Sequence, residues 1–199
     1  LGPGDRAGMW ASSCAEWVYL QVATARVGAV LVNVNPAYRA HDLRYLLETS
    51  GIKAIFFHEQ DSRANYAEIL EQARDGAELP LRHAIVLGEQ SWDRMIAEGV
   101  EPPRREADPH EVANIQYTSG ATGKPKGVLL THRNIVNNAY LVGRSMHWST
   151  DDRLALAVPM YHCFGCVMGS LACLVFGATL VLPSAQFKPR AVLEAVEQE

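Results

Sequence analysis

Short, uninterrupted apolar runs recur along the chain, and the segments between them carry apolar residues at helical spacing. Each run has the length and composition of a parallel strand that is buried on both faces. Because strands alternate with helices, the sequence predicts an α/β fold: a layered αβα arrangement around a mostly parallel sheet with right-handed crossovers. The predicted strands lie at 7–10, 29–32, 54–57, 84–87, 154–158 and 180–182, and the predicted helices at 15–28, 40–49, 64–74, 134–146, 162–176 and from about 190.

The most distinctive motif is the run 117–127, Tyr-Thr-Ser-Gly-Ala-Thr-Gly-Lys-Pro-Lys-Gly, with strands predicted on both sides at 112–117 and 127–131. Glycines let backbone N–H groups approach an anion closely, and hydroxyl and ammonium groups add charge-assisted hydrogen bonds to phosphate oxygens. The motif therefore predicts a polyphosphate-binding loop, in which Lys126 and then Lys124 are the leading phosphate contacts. The full candidate set is Thr118, Ser119, Gly120, Ala121, Thr122, Gly123, Lys124, Lys126 and Gly127.

This loop differs from the Walker P-loop, which needs four residues between its glycines and a hydroxyl directly after its lysine. Only two residues separate Gly120 from Gly123, and Lys124 is followed by Pro125, which has no N–H to offer a phosphate. A flexible surface hairpin is the alternative interpretation. The strand-loop-strand setting and the pair of lysines favour phosphate binding.

The motif resembles the signature of the AMP-forming acyl-CoA synthetases, which belong to the adenylate-forming superfamily. The family pattern is aromatic-Thr-Ser-Gly-Ser/Thr-Thr-Gly-x-Pro-Lys-Gly, and the chain departs from it only at Ala121, where a hydroxyl is replaced. Other segments resemble family landmarks in family order along essentially the whole chain, and together they look most like the fatty-acyl-CoA ligase branch. These segments are 4–10, 33–38, 114–116 and 159–165.

The resemblance implies a ligase that works in two steps. A carboxylic acid, expected to be a fatty acid, attacks the α-phosphate of ATP to give an acyl-adenylate and pyrophosphate, and the thiol of coenzyme A then displaces AMP. By the same resemblance Thr118 is expected to help hold Mg²⁺, and His162 is expected to lie at the acyl edge of the site as a catalytic residue. Tyr161, Phe164 and Gly165 are expected to shape the substrate pocket with His162.

Three alternatives stay open at this point. His162 could be a helix-capping residue with a backbone partner. Cys163 and Cys166 form a Cys-x-x-Cys pair at a predicted helix N-terminus, which is the setting of thiol–disulfide motifs. The rest of a thioredoxin pattern does not occur in the sequence, which favours the interpretation that they are small apolar residues lining a helix. The chain as a whole could be a nucleotide- or phosphate-binding module, or an inert structural piece, without activity of its own.

The predicted organisation is a first α/β subdomain at 1–147, ending with the phosphate loop and its following helix, and the incomplete start of a second α/β subdomain at 148–199. Both ends are expected to lie within a longer protein, as part of the large N-terminal domain of an adenylate-forming enzyme. The family's Thr-Glu pair, its Arg-x-Gly-Asp motif and its late catalytic lysine do not occur in these 199 residues. The chain alone is therefore expected to be inactive.

The charge and composition of the chain exclude some classes of binding partner. The net charge of −4 and pI near 6.0 argue against a nucleic-acid partner. The expected partner is the small-molecule carboxylic acid that the family resemblance implies. No Asp, Glu, Lys or Arg occurs from Leu154 to Phe187, but prolines and glycines interrupt this run, so no transmembrane segment is predicted. The expected location is the cytoplasm with reduced thiols, and the sequence predicts no particular oligomeric state.

Overall fold

A six-stranded sheet forms the centre of the computed structural model, which describes residues 1–102, 105–118 and 124–199. Neighbouring strands run parallel except for the last pair, which is an antiparallel hairpin at the edge of the sheet. In spatial order the strands are β4 (His83–Val86), β3 (Ile52–Phe57), β1 (Arg6–Trp10), β2 (Val30–Asn33), β5 (Val112–Thr118) and β6 (Lys126–Thr131).

Helices cover both faces of this sheet and bury two apolar clusters, so the predicted αβα layering is confirmed. The cluster on one face joins strand residues such as Trp10 and Ile55 to side chains of the helices between β2 and β4. The cluster on the other face contains Trp17 and Trp92. The helices are α1 (Ala15–Val27), α2 (Ala40–Ser50), α3 (Tyr66–Arg74), α4 (Gln90–Ala97) and α5 (His132–Ser145).

A second, two-stranded parallel sheet follows α5. Its strands are β7 (Arg153–Ala155) and β8 (Thr179–Val181), and a π-helical segment (Phe164–Leu171) that continues as α6 (Ala172–Phe176) connects them. Leu154 and Leu180 from this sheet pack against the same apolar cluster as Trp17, so the small sheet shares a core with the large one. The last element is α7 (Pro189–Gln198).

The structure differs from the predicted elements in three places. The predicted strand at 154–158 is shorter, because β7 has only the three-residue β8 beside it and Pro159 follows without a donor N–H. Helix α4 was not predicted, since Trp92 is its only buried residue and eight residues give a weak periodic signal. The helix predicted at 162–176 is present from Phe164, but its first turns are π-helical.

The end of that helix is predicted correctly. Gly177 closes α6 with a φ of 69°, a left-handed backbone conformation that glycine adopts without strain. Within the three described ranges, no helix is long and apolar enough to cross a membrane.

Candidate active site

The arms of the phosphate-loop motif are a β-hairpin at the open edge of the large sheet. In the register of β5 and β6, Thr118 lies opposite Lys126 and Tyr117 lies opposite Gly127. Both Lys124 and Lys126 are exposed. Two cationic side chains and one hydroxyl are thus brought to the same end of the hairpin. The other predicted phosphate-binding residues belong to the loop that joins the two arms and lie outside the described residues: Ser119, Gly120, Ala121, Thr122 and Gly123.

Helix α2 supports the second arm of the hairpin. The hydroxyl of Tyr45 donates to the carbonyl oxygen of Pro125 at 3.3 Å, and the hydroxyls of Thr49 and Tyr117 lie 3.0 Å apart. Gly127 lies against the same face, where an added Cβ would come within 3.2 Å of Ile115 Cγ2. Sequence reasoning missed Tyr45, because a tyrosine on an amphipathic helix carries no signal of its contact with a distant loop.

A cavity of about 520 Å³ lies on the opposite face of the hairpin, between it, α5 and the start of the π-helical segment. Its wall is mostly apolar, and Thr118 and Cys163 both contribute to it. The cavity therefore adjoins the hairpin end that carries the lysines. The lining residues are Gln116, Thr118, Val128, Leu130, Asn134, Ile135, Asn138, Cys163, Val167 and Met168.

His162 lies in a tight turn that leads into the π-helical segment. Its Nδ1 accepts a hydrogen bond from the backbone N–H of Phe164 at 3.2 Å, and its carbonyl oxygen accepts from the N–H groups of Gly165 and Cys166 at 2.9 and 3.1 Å. This is the helix-capping geometry of the alternative interpretation. Because Nδ1 is an acceptor, the neutral ring carries its proton on Nε2, which leaves Nε2–H as a donor on an exposed side chain.

The other predicted pocket residues take different positions around this turn. Gly165 is buried and lies so close to Pro159 that an added Cβ would be 2.3 Å from the Pro159 carbonyl oxygen. Phe164 is 52% exposed. Tyr161 faces a separate cavity of about 200 Å³ near Ser12 and Arg63. The structure thus groups Thr118 and Cys163 around one cavity and places Tyr161 at another.

Cys166 and Cys173 are buried, whereas Cys14 and Cys163 are half-buried. All four are free, and Cys166 is only 2% exposed. Burial raises the pKa of the Cys166 thiol to about 11, and hydrogen bonds from Asn33 and Gln116 offset only part of that effect. A redox-active cysteine needs a lowered thiol pKa. These properties weigh against the Cys-x-x-Cys interpretation.

The described residues near the hairpin offer few ligands for a magnesium ion. Mg²⁺ prefers several oxygen ligands, usually carboxylates, phosphates and water. Among the residues that the structure describes, no cluster of three His, Cys, Asp or Glu side chains could hold a metal ion. Thr118 offers a single hydroxyl, so these residues do not form a magnesium site by themselves.

Comparison with known proteins gives a consistent result. The family described as AMP-binding enzyme matches residues 1–199. The provisionally named acyl-CoA synthetase YngI of Bacillus subtilis is 39% identical over 224 aligned residues, which include all of this chain and 41% of YngI. The medium-chain acyl-CoA ligase ACSF2 of Homo sapiens, named as mitochondrial, is 37% identical over all of this chain and 37% of its own length.

Solved structures agree with the sequence relatives. The long-chain-fatty-acid-CoA ligase FadD1 of Archaeoglobus fulgidus superimposes with a TM-score of 0.86 at 25% identity, over the whole chain and 39% of FadD1. ATP-bound MatB of Rhodopseudomonas palustris gives a TM-score of 0.85 at 25% identity, over the whole chain and 38% of MatB. The chain therefore spans about two fifths of the length of the relatives that it matches.

Proposed function

Since this chain belongs to the AMP-binding enzyme family, we propose that the whole protein is an ATP-dependent acid–thiol ligase that makes acyl-coenzyme A. A carboxylate oxygen of the acid attacks the α-phosphorus of ATP, and pyrophosphate leaves with the electrons of the broken P–O bond. The thiol sulfur of coenzyme A then attacks the acyl carbon, loses its proton and displaces AMP. The observation that carries the proposal is the hairpin that brings Thr118, Lys124 and Lys126 together.

The hairpin residues would act on the departing pyrophosphate. Negative charge grows on the β- and γ-phosphates as the bond to the α-phosphorus breaks, and fixed donors near them stabilise that transition state. Lys126 begins a strand that is paired with β5, so its backbone is held in the sheet while its side chain is free to reach an anion. Lys124 lies two residues earlier beside Pro125, whose carbonyl is fixed by Tyr45.

Magnesium enters the proposal only as part of the ATP substrate. The hydroxyl of Thr118 is the one group of the described residues that we propose to contact it, and no step of the reaction depends on that contact. The remaining ligands would come from phosphate oxygens and water, which is how proteins usually hold Mg²⁺ beside nucleotides.

His162 is proposed to orient the acid or the adenylate through Nε2–H. The Phe164 N–H contact fixes the ring and keeps Nδ1 as an acceptor, which leaves the opposite edge of the ring as the donor. The capping geometry and the substrate role are therefore compatible, because they use different nitrogen atoms.

A fatty acid is the proposed acid class. The cavity of about 520 Å³ beside Thr118 is lined mainly by aliphatic groups such as Val128, Leu130 and Met168, and burial of methylene groups there would contribute about 0.8 kcal/mol each. ACSF2 and FadD1 are named as medium- and long-chain ligases, which supports an aliphatic acid of some length.

Adenylation is tested by exchange of labelled pyrophosphate into ATP with the whole protein and a series of straight-chain acids. We expect Lys126→Ala to lower the exchange rate by roughly 10²–10³, the effect of losing one charge-stabilising donor. The matched control is Lys188→Ala, an exposed lysine before α7. Equal exchange rates for both variants and the parent would mean that the hairpin end is a surface turn.

The chain itself is proposed to contribute one part of the site. Residues 1–147 would form the first subdomain and 148–199 the start of the second, a division supported by the separate β7–β8 sheet and by the positive φ of 58° at His147 after α5.

A nucleotide-binding module without turnover is the second candidate function. Calorimetric titration of the 199-residue chain with Mg-ATP tests for such binding.

A reducing compartment such as the cytoplasm is the proposed location, supported by the four free cysteines. The mitochondrial name of human ACSF2 makes the mitochondrion the alternative. Imaging of the tagged whole protein distinguishes the two.

A further inference from the structure

Three amide side chains lie buried in the middle of the large sheet, where apolar residues would ordinarily pack. Asn33 at the end of β2 is 4% exposed, and Asn114 and Gln116 on β5 are 3% and 8% exposed. The register pairs Leu31 with Asn114 and Asn33 with Gln116, so the three amides occupy one face of two neighbouring strands. We call this set the amide ladder.

Hydrogen bonds join the amide side chains to one another and to the turn that carries His162. Asn114 Nδ2 donates to the Leu31 carbonyl at 3.0 Å and to Asn33 Oδ1 at 2.8 Å. Asn33 Nδ2 in turn donates to the carbonyl oxygen of Tyr161 at 3.1 Å and to Cys166 Sγ at 3.4 Å.

Gln116 closes the ladder from the strand that ends at Thr118. Its Nε2 donates to Cys166 Sγ at 3.3 Å, so one sulfur receives amide donors from both β2 and β5. Tyr161 and Cys166 flank His162 on its two sides in the chain. Three hydrogen bonds therefore reach the His162 turn: one comes directly from Gln116 on β5, and two come from Asn33, whose own side chain accepts a hydrogen bond from Asn114 on β5.

Stability alone gives a poor account of these residues. Burying an amide in an apolar layer is unfavourable unless its groups are hydrogen-bonded, and apolar residues of the same volume would fill the space without that penalty. Within the described part of the chain, Asn114 Oδ1 has no partner, so the ladder does not satisfy even its own groups completely. What the ladder does provide is a fixed distance between two sets of functional residues.

We propose that Asn33, Asn114 and Gln116 are positioning residues that set the His162 turn against the Thr118 end of β5, and so hold the acid in line with the phosphate loop. The catalytic part of this inference rests on the proposed function. Because a displacement of about 1 Å can lower a rate by about 10²-fold, the ladder would govern the rate of adenylation and the fit of the acid. It touches neither Lys124 nor Lys126, so it would have little effect on ATP binding.

Asn33→Leu tests the ladder, because it removes both hydrogen bonds from Asn33 to the turn and the acceptor for Asn114, while keeping the branched shape of the side chain. In the whole protein we expect faster hydrogen–deuterium exchange at residues 160–168, a roughly 10- to 100-fold lower kcat for adenylation, a raised KM for the acid and an ATP KM within about twofold of the parent. Gln116→Leu, which removes one hydrogen bond to the turn, is the second variant if Asn33→Leu folds poorly. Because Gln116 also lines the cavity proposed for the acid, deuterium exchange at 160–168 is the measurement by which this variant tests the ladder.

Thr24→Val is the matched control, since Thr24 is buried and its hydroxyl bonds only to carbonyls within α1. It should lower stability without selective exchange at 160–168 and without a change in acid KM. Unchanged exchange there in both ladder variants overturns the proposal, and so does local loosening with unchanged kcat and acid KM. Absence of pyrophosphate exchange in the parent would refute the proposed function instead, while the deuterium measurement would still decide whether the ladder holds the turn.

Discussion

Replacement of Gly165 by alanine should damage the site through a clash that the structure specifies. The added Cβ would lie 2.3 Å from the carbonyl oxygen of Pro159, 2.6 Å from its carbonyl carbon and 2.8 Å from Met160 Cα. All three are backbone atoms, so no side chain can rotate away. Contacts of a Cβ below 3.0 Å are essentially never found, and the turn must therefore open by about 0.7 Å, the difference between 3.0 and 2.3 Å.

That opening acts directly on His162. The N–H of His162 donates to the same Pro159 oxygen at 3.2 Å, and the His162 carbonyl accepts from Gly165 itself. We expect overpacking to lower the free energy of unfolding by about 1–3 kcal/mol. A shift of this size at His162 should also lower the adenylation rate by about 10-fold or more, since a displacement near 1 Å can reach about 10².

Thermal unfolding and pyrophosphate exchange of the whole protein measure the two effects. Gly2→Ala is the neutral control, because nothing lies within 4 Å of an added Cβ there. Gly143→Ala is the second control, because the three atoms nearest to an added Cβ there all belong to the ring of Phe176, the nearest at 2.4 Å, and a ring can move. If Gly165→Ala matches Gly2→Ala in both assays, the turn is not the rigid link between sheet and helix that the contacts imply.

Other perturbations test separate parts of the molecule. Cys163→Ser combined with Cys166→Ser should keep the rate of acyl activation within about tenfold of the parent, or 1.4 kcal/mol. The parent and the variant should both lack disulfide reductase activity. A reversible midpoint potential of the Cys163–Cys166 pair, with activity that follows it, would restore the redox interpretation. Asp61→Asn should lower the free energy of unfolding at pH 7 by about 1–2 kcal/mol. Burial acts to raise the pKa of Asp61, but hydrogen bonds from the Arg63 backbone and from the Tyr66, Ser12 and Arg63 side chains lower it to about 2. Its contribution is therefore complete above about pH 4 and is lost as pH falls toward 2, and denaturant unfolding across that window should show less pH dependence in the variant. The 199-residue chain alone should make no acyl-CoA from ATP, coenzyme A and fatty acids, and turnover on the order of 10 per second would contradict the view that its site is partial.

Much of the fold could be predicted because its signals are local. Uninterrupted apolar runs mark parallel strands, and β1, β2 and β3 are found within a residue or two of their predicted positions. Gly177 marks the end of α6 by its backbone freedom. The hairpin arms were likewise predicted from local sequence, and β5 and β6 lie within a residue of the predicted strands at 112–117 and 127–131. The family resemblance then supplied the expected reaction and the expected roles of Thr118 and His162.

The parts that could not be predicted depend on pairs of residues far apart in the chain. Asn33 precedes Tyr161 by 128 residues, and Tyr45 precedes Pro125 by 80. Neither contact leaves a pattern in the sequence near either partner. The π-helical turns at Phe164–Leu171 are equally invisible, because their composition is that of any buried helix.

The two faces of β5 support different parts of the candidate site. Tyr117 on β5 turns toward α2, where its hydroxyl meets Thr49 and supports the loop that carries the lysines. Gln116, one residue earlier, points to the opposite face and donates to Cys166 near the start of the π-helical segment Phe164–Leu171. Successive residues of a strand face opposite ways, so a shift of β5 by one residue would exchange these two side chains and break both supports. The register of β5 between β2 and β6 is therefore the structural quantity on which the proposed alignment of acid and phosphate loop depends.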